Sequence, residues 1–155
     1  MEPGRQYGND CVITAMPVQH PGGALGFRVS AGGAGSAAMV YISDNELEPV
    51  GAHALDAGWR ERLVQWARGA KVLVHDAMFL EAEYERHRGW GHSTCDQAVE
   101  LALDSEVEEL VLYHHKPERT DVEIDATLGH CEQLVRRRGR RLRVVAAAEG
   151  MELVI

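Results

Sequence analysis

The sequence predicts an α/β fold in which helices cover at least one face of a β-sheet, and three observations support this. Three short apolar segments of strand type come first in the chain. Helix-type and strand-type patterns then alternate, which is typical of a layered α/β structure. Neither an internal repeat nor a domain linker interrupts the 155 residues, so we expect residues 1–155 to form a single domain.

The first part of the chain predicts three strands. Residues 11–18 form the first, and Pro17 near its end favours an edge position or a strand terminus, because proline has no N–H to donate. Leu25–Val29 is predicted as the second strand and Ala38–Ile42 as the third. The glycine-rich segment 31–36 has the composition of a turn between them.

The second part predicts alternating helices and strands. Apolar residues at helical spacing indicate a helix over 59–68, and two capping-box patterns indicate where further helices begin. The predicted elements that follow this helix are a strand over Val72–Val74, a helix opened by Ser93 and Asp96, a strand over Leu110–Tyr113, a helix opened by Thr120 and Glu123, and strands over Leu142–Val145 and Glu152–Ile155.

Composition and charge exclude several function classes. The formal net charge of −8 disfavours non-specific binding to nucleic acids or anionic membranes. No apolar run approaches the roughly 20 residues that span a bilayer, and the first residues do not resemble a signal peptide. The three cysteines are widely spaced without a Cys-x-x-Cys pair, so we expect a cytoplasmic protein without disulfides or a zinc knuckle.

Side chains suited to metal binding or proton transfer follow three of the predicted strands. Asp44 follows the third strand, His75 and Asp76 follow the fourth, and His114 follows the fifth. The carboxyl ends of strands form the edge at which α/β sheets bind ligands. These residues, with the loop residues His20 and His92, therefore predict a site, although polar residues also simply mark strand ends.

The residue types point to metal chemistry rather than to a nucleophilic side chain. Imidazole and carboxylate groups bind zinc, manganese or iron, and imidazole alone does not select among them. The sequence contains no Gly-x-Ser-x-Gly motif, and its glycine pairs match neither a P-loop nor a dinucleotide-binding loop.

Five segments together resemble the metallo-β-lactamase fold, in the branch of the ribonuclease Z-like and phosphodiesterase-like hydrolases. They are HPGGALGFR at 20–28, VYISDNE at 40–46, VLVHDA at 72–77, GWGHST at 89–94 and LVLYHHKP at 110–117. Their order and intervals carry the resemblance, which runs from about residue 12 to the end of the chain. The resemblance implies the C-terminal half of an αββα sandwich.

The resemblance also implies a role for each candidate residue. His20 would bind one of two metal ions, Asp44 would bridge both ions, and His114 would bind the second; the ions would be Zn²⁺, or Mn²⁺ or Fe. His92 would stabilise or protonate the leaving group, and Asp76 would orient it. The implied activity is phosphodiester hydrolysis, and the acidic net charge favours a small substrate such as a cyclic nucleotide over tRNA. His75 is expected to support the ligands rather than bind metal.

One signature of the family is missing from the sequence. A His-x-His-x-Asp-His run, which supplies the other ligands and the general base, precedes the His20 motif in family members, but the 19 residues before His20 contain no histidine. About two ligands would remain for each ion, so we expect the chain alone to be a weak or inactive catalyst. We also expect an exposed apolar sheet face, covered by self-association into a homo-oligomer or by a complementing N-terminal half.

Two alternatives remain open at this stage. The first alternative to a hydrolase is a non-catalytic remnant that self-associates. The second is a small one-metal protein in which His20, Asp44 and His114 form a two-His-one-carboxylate triad. The remaining polar residues near these motifs are predicted to be solvated: His53 in a loop, Glu46 and Glu48 as surface acids, and His87 and His130 on helix surfaces.

Overall fold

The computed structural model describes residues 11–31, 38–48 and 51–155, which form one six-stranded sheet with its helices. The strands are β1 (Cys11–Val18), β2 (Ala24–Ala31), β3 (Ala38–Ile42), β4 (Val72–Asp76), β5 (Glu109–Tyr113) and β6 (Arg143–Ala146). The helices are α1 (Trp59–Ala67), α2 (Glu81–Tyr84), α3 (Cys95–Asp104) and α4 (Asp121–Arg137). The predicted α/β class is confirmed, whereas the turn predicted after β2 lies almost wholly outside the described residues.

The strands lie in the sheet in their chain order, and their directions determine where the polar strand ends meet. β1, β2 and β3 pair antiparallel, and β3, β4, β5 and β6 pair parallel. β1 is an edge strand, as Pro17 predicted. Because β3, β4 and β5 are parallel, their carboxyl ends lie at one edge of the sheet, and Asp44, Asp76 and His114 lie at these ends.

The two faces of the sheet differ in what covers them. Val40, Leu73 and Leu110 are fully buried in the main core, to which α1, α3 and α4 contribute their apolar residues. The alternate residues point to the other face, where the second cluster contains Val72, Val74 and Val111. In the part of the chain that the structure describes, this second cluster includes no helical residue.

Two predicted details of the helices and strands are wrong. Thr94, not Ser93, caps α3, because Thr94 Oγ1 accepts a hydrogen bond from the Gln97 N–H at 3.1 Å while the Ser93 hydroxyl donates to the Asn45 carbonyl at 2.6 Å. The C-terminal segment forms no strand, because a turn at Gly150, with φ of 75°, separates it from β6. The Thr120 cap of α4 is confirmed. None of the described helices combines the length and apolar character needed to cross a membrane.

Candidate metal centre

Four of the predicted site residues converge at the carboxyl edge of the sheet. One potential ligand atom from each of His20, Asp44 and His92 lies within 4.8 Å of the other two. His114 Nε2 lies 3.7 Å from Asp44 Oδ1, and its ring stacks on that of His92 with centroids 4.8 Å apart. The structure therefore brings together residues that are as far apart in sequence as His20 and His114.

The cluster contains the donor types that divalent metal ions need, and solvent reaches it. Three imidazoles and one carboxylate are the ligand types of zinc, manganese and non-haem iron sites. About one third of the side-chain surface of both Asp44 and His114 is exposed, and the Ser43 hydroxyl hydrogen-bonds Asp44 Oδ2 at 2.5 Å. These residues fit a metal ion, because they offer suitable ligand atoms and an ion can reach them from solvent.

His114 adopts a backbone conformation that is uncommon for a residue with a side chain. Its φ is 59°, in the left-handed region. The strand β5 ends at Tyr113, so this conformation turns the chain at His114 immediately after the strand. Such conformations concentrate at functional sites, where the surrounding structure holds them in place.

Asp76 and His92 form the acid–base pair of the cluster. Asp76 is fully buried, and its Oδ2 lies 2.7 Å from His92 Nδ1. Three backbone N–H groups also donate to this carboxylate, those of Asn45, Met78 and Ser93. These bonds fix the carboxylate, so it determines how the imidazole is oriented.

The charge around His92 favours the protonated imidazole. Burial alone lowers the pKa of His92, but the hydrogen bond and the negative charge of Asp76 act in the opposite direction. Asp44 and Glu46 add to the effect of Asp76, so the net result is a raised pKa. The imidazole is thereby suited to carry a proton that it can donate.

The loop that carries His92 is fixed by a carboxylate that we predicted, wrongly, to be a surface acid. Glu46 is fully buried, and it accepts hydrogen bonds from the N–H groups of Gly89 at 2.7 Å and Gly91 at 3.0 Å. The Tyr84 hydroxyl and His53 Nε2 also bond to it, at 2.9 and 3.0 Å. Glu46 is buried because four donors surround it, and one of them is the ring of His53, which was predicted to be solvated.

The close approach of this loop to His20 requires a glycine. Gly91 has a φ of 94°, and a Cβ atom at this position would lie 2.3 Å from His20 Cδ2. The Glu46 carboxylate therefore holds a loop that packs directly against one candidate ligand, His20, and carries another, His92.

His75 lies behind the cluster, where it supports the loop after β3. It is fully buried, with Nε2 3.1 Å from Asn45 Nδ2 and Nδ1 2.7 Å from the Asp76 carbonyl oxygen. Burial lowers the pKa of His75 below its ordinary value, and the nearby Asp76 offsets this only in part. The neutral ring donates from Nδ1 and accepts at Nε2, which links Asn45, next to Asp44, to strand β4.

Sequence reasoning found the residues of the cluster but missed most of what holds them in place. Glu46, His53 and Asn45 were not recognised as part of the site. One available signal was the pair of glycines on either side of Trp90, whose N–H groups need acceptors when the loop is buried. Glu46 lies two residues after Asp44, so an acceptor is close to the predicted site in the sequence, although nothing local to Glu46 shows that these glycines approach it.

Comparison with known proteins finds a matching family model and matching curated relatives. A model described as a beta-lactamase superfamily domain matches residues 3–115. Ribonuclease Z of Bacteroides thetaiotaomicron is 35% identical over 63 residues, which cover 41% of this chain and 20% of that protein. The match therefore includes only a minor part of the length of this relative.

Solved structures resemble nearly the whole chain at low sequence identity. The metallo-beta-lactamase fold protein YhfI of Bacillus subtilis superposes with a TM-score of 0.71 at 16% identity, covering 97% of this chain and 53% of that one. A diphosphatase of the PhnP family gives a TM-score of 0.63 at 17% identity, covering 99% and 46%. The chain thus corresponds in fold to about half the length of these proteins.

Proposed function

This chain belongs to the beta-lactamase superfamily, and on that premise we propose that it supplies part of the active site of a metal-dependent phosphodiester hydrolase. Ribonuclease Z, a relative in sequence, and the PhnP-family diphosphatase, a relative in fold, both carry names of enzymes that hydrolyse P–O bonds. The single observation that carries the proposal is the convergence of His20, Asp44, His92 and His114 at one edge of the sheet.

In the proposed site, His20 and Asp44 would hold one metal ion, and Asp44 and His114 would hold a second. The ions, Zn²⁺ or else Mn²⁺ or Fe, would supply Lewis acidity towards the phosphoryl group and lower the pKa of water. Asp44 offers two carboxylate oxygens, and its Oδ1 lies 3.7 Å from His114 Nε2.

His92 then acts as the general acid. Its Nδ1 is bonded to Asp76, which leaves Nε2 to donate a proton to the oxygen of the departing alcohol. Asp76 holds the ring in that orientation and stabilises its positive charge, which agrees with the raised pKa of His92. Replacing Asp76 with Asn should therefore lower the hydrolysis rate by roughly 10²-fold or more.

The candidate ligands in this chain are too few to complete a two-metal site. A two-metal site needs about four protein groups per ion, with one shared. His20, Asp44 and His114 provide two groups per ion, with Asp44 shared, so we infer that the remaining ligands come from a segment with the His-x-His-x-Asp-His pattern. We therefore propose that the 155 residues alone bind metal weakly and hydrolyse phosphodiesters poorly.

The experiment measures bound metal and hydrolysis of a model aryl phosphodiester, with the chain alone and with a separately expressed N-terminal half of a ribonuclease Z. Asp44→Ala and His114→Ala should each reduce bound metal and the activity of the mixture, whereas Asp125→Ala, an exposed change on α4, should alter neither. A mixture in which the two halves associate but show no hydrolysis would refute the proposal.

The proximity of His20, Asp44 and His92 favours a second candidate, a one-metal binding protein. Their ligand atoms lie within 4.8 Å of one another, which suits a single ion held without His114. This candidate predicts one tightly held ion per chain, whose binding is lost in His92→Ala and kept in His114→Ala. The two-metal proposal predicts the reverse dependence on these two histidines.

A further inference from the structure

A second group of metal-ligand side chains lies between helices α3 and α4, away from the cluster at the sheet edge. Cys95 and Asp96 are the first two residues of α3, and His130 lies in the second half of α4. One ligand atom from each of the three lies within 4.8 Å of the other two. A carboxylate, an imidazole and a thiol are therefore brought together by two packed helices.

The contacts within this group converge on one atom. Asp96 Oδ1 lies 2.7 Å from His130 Nε2 and accepts a hydrogen bond from Cys95 Sγ at 3.4 Å. Without a metal ion, these contacts form a small hydrogen-bonded cluster. All three residues also line a cavity of about 420 Å³, so the cluster opens on a space that a small molecule can enter.

We propose that Cys95, Asp96 and His130 form a mononuclear Zn²⁺ site whose fourth coordination position faces this cavity. Sulfur, nitrogen and oxygen donors in this combination are zinc ligands, and three protein ligands with an open position are typical of zinc sites that take water or a small anion. Coordination must release the thiol proton of Cys95 to the buffer, because zinc binds the thiolate, whereas without zinc the hydrogen bond with Cys131 and burial raise the pKa of this thiol.

The present geometry is close to what a zinc ion requires. Bonds of about 2.0–2.1 Å to zinc place tetrahedral nitrogen and oxygen donors about 3.3 Å apart. The pair His130 Nε2 and Asp96 Oδ1 must therefore separate by roughly half an ångström. The His130 side chain is half exposed, which leaves it free to make this movement, while Cys95 is fixed in the core.

The charges that face the cavity also favour a cation. Glu81 and Glu123 line it together with Asp96. Arg119 is the basic side chain on the same wall, but its guanidinium is ion-paired with Glu83 at 2.7 Å and is largely buried. The positive charge of Arg119 is thus already paired with a carboxylate outside the proposed site.

Cobalt distinguishes this site from the cluster at the sheet edge, because only a site that contains cysteine produces a cobalt–thiolate charge-transfer band. Titrating the chain with Co²⁺ should produce this band, saturating at one ion per chain, and added Zn²⁺ should remove it. His130→Ala and Asp96→Asn should each weaken Co²⁺ binding at this site by at least about tenfold. Cys95→Ser should abolish the band.

Two matched controls complete the experiment. Cys11→Ser removes the cysteine outside the core, and His20→Ala removes a ligand candidate of the other cluster; both variants should keep the band. Because His130 is half exposed, its alanine variant tests the proposal even if Cys95→Ser fails to fold. Absence of the band in the unaltered chain, or a Co²⁺ affinity in His130→Ala and Asp96→Asn equal to that of the unaltered chain, would overturn the proposal.

Discussion

Glu46 provides the sharpest test of how the site is held together, through the substitution Glu46→Gln. Its Oε1 accepts from the Tyr84 hydroxyl and the Gly89 N–H, and its Oε2 accepts from His53 and the Gly91 N–H. Glutamine keeps the size of the side chain but replaces one oxygen with an NH₂ group, which cannot accept a hydrogen bond. Whichever way the amide is oriented, two donors lose their acceptor.

The expected loss of stability depends on which orientation of the glutamine amide destabilises the folded protein less. His53 is partly exposed and can turn towards water, so the amide nitrogen should replace Oε2. The buried Gly91 N–H is then left without a partner, at a cost of about 1–3 kcal/mol, and the bond to His53 is lost as well. We expect a total loss of about 2 kcal/mol, which for a protein of this size lowers Tm by about 4–8 °C.

Urea denaturation followed by tryptophan fluorescence measures this loss. Glu48→Gln is the matched control, because Glu48 is an exposed acid two residues away, and its free energy of unfolding should change by less than about 0.5 kcal/mol. If Glu46→Gln unfolds at the same urea concentration as the control, Glu46 does not hold the loop in the way that the hydrogen bonds indicate.

Three further predictions concern other parts of the molecule. In thermal unfolding, Gly91→Ala should destabilise the protein by about 1–3 kcal/mol more than Gly139→Ala. Both glycines have positive φ, but only at position 91 would a Cβ atom lie against His20. Equal losses of stability in the two variants would count against this contact. The pKa of His75 is lowered below 6.5 by burial, so the unfolded chain binds a proton that the folded chain excludes. Stability should fall as the pH drops below about 6.5, by up to about 1.4 kcal/mol per pH unit, and this contribution should vanish in His75→Gln; identical pH profiles would refute it. Tyr113→Glu, on the sheet face without helices, should shift the self-association that we predict towards monomer in sedimentation experiments, whereas a monomeric unaltered chain would contradict that prediction.

The helices and strands that the sequence predicted well are those whose residue pattern depends on neighbours along the chain. The apolar runs in β3, β4 and β5 were recognised as strands because each is short and continuous, and β4, in the middle of the three, is buried along its whole length. The Thr120 cap of α4 was found because Thr-x-x-Glu is a local arrangement. At α3 the same signal was ambiguous, because Ser93 and Thr94 are each followed three residues later by a side chain that can complete a capping box. The Ser93 hydroxyl instead forms hydrogen bonds with the backbone of Asn45 and Leu47, in the loop after β3.

In the site, too, some features were predictable from the sequence and others were not. The ligand candidates were predictable because parallel strands bring their carboxyl ends together. The support from Glu46 was not, because its four donors come from residues 53, 84, 89 and 91, and nothing local to Glu46 indicates that a loop will close over it. Long-range polar contacts of this kind depend on the tertiary fold, so charge alone wrongly predicts a surface position.

Glu46 and Asp76 together explain how the cluster at the sheet edge remains ordered. Each is a fully buried carboxylate surrounded by donors, and each bonds to backbone N–H groups in the segment 89–93 that carries His92. Burying two charges is costly unless their hydrogen bonds are made, and displacing this segment would remove the bonds of Gly89 and Gly91 to Glu46 and those of His92 and Ser93 to Asp76. The position of His92 beside His20 and Asp44 is therefore fixed by bonds within these 155 residues, which implies that additional ligands would bind to an arrangement that is already formed.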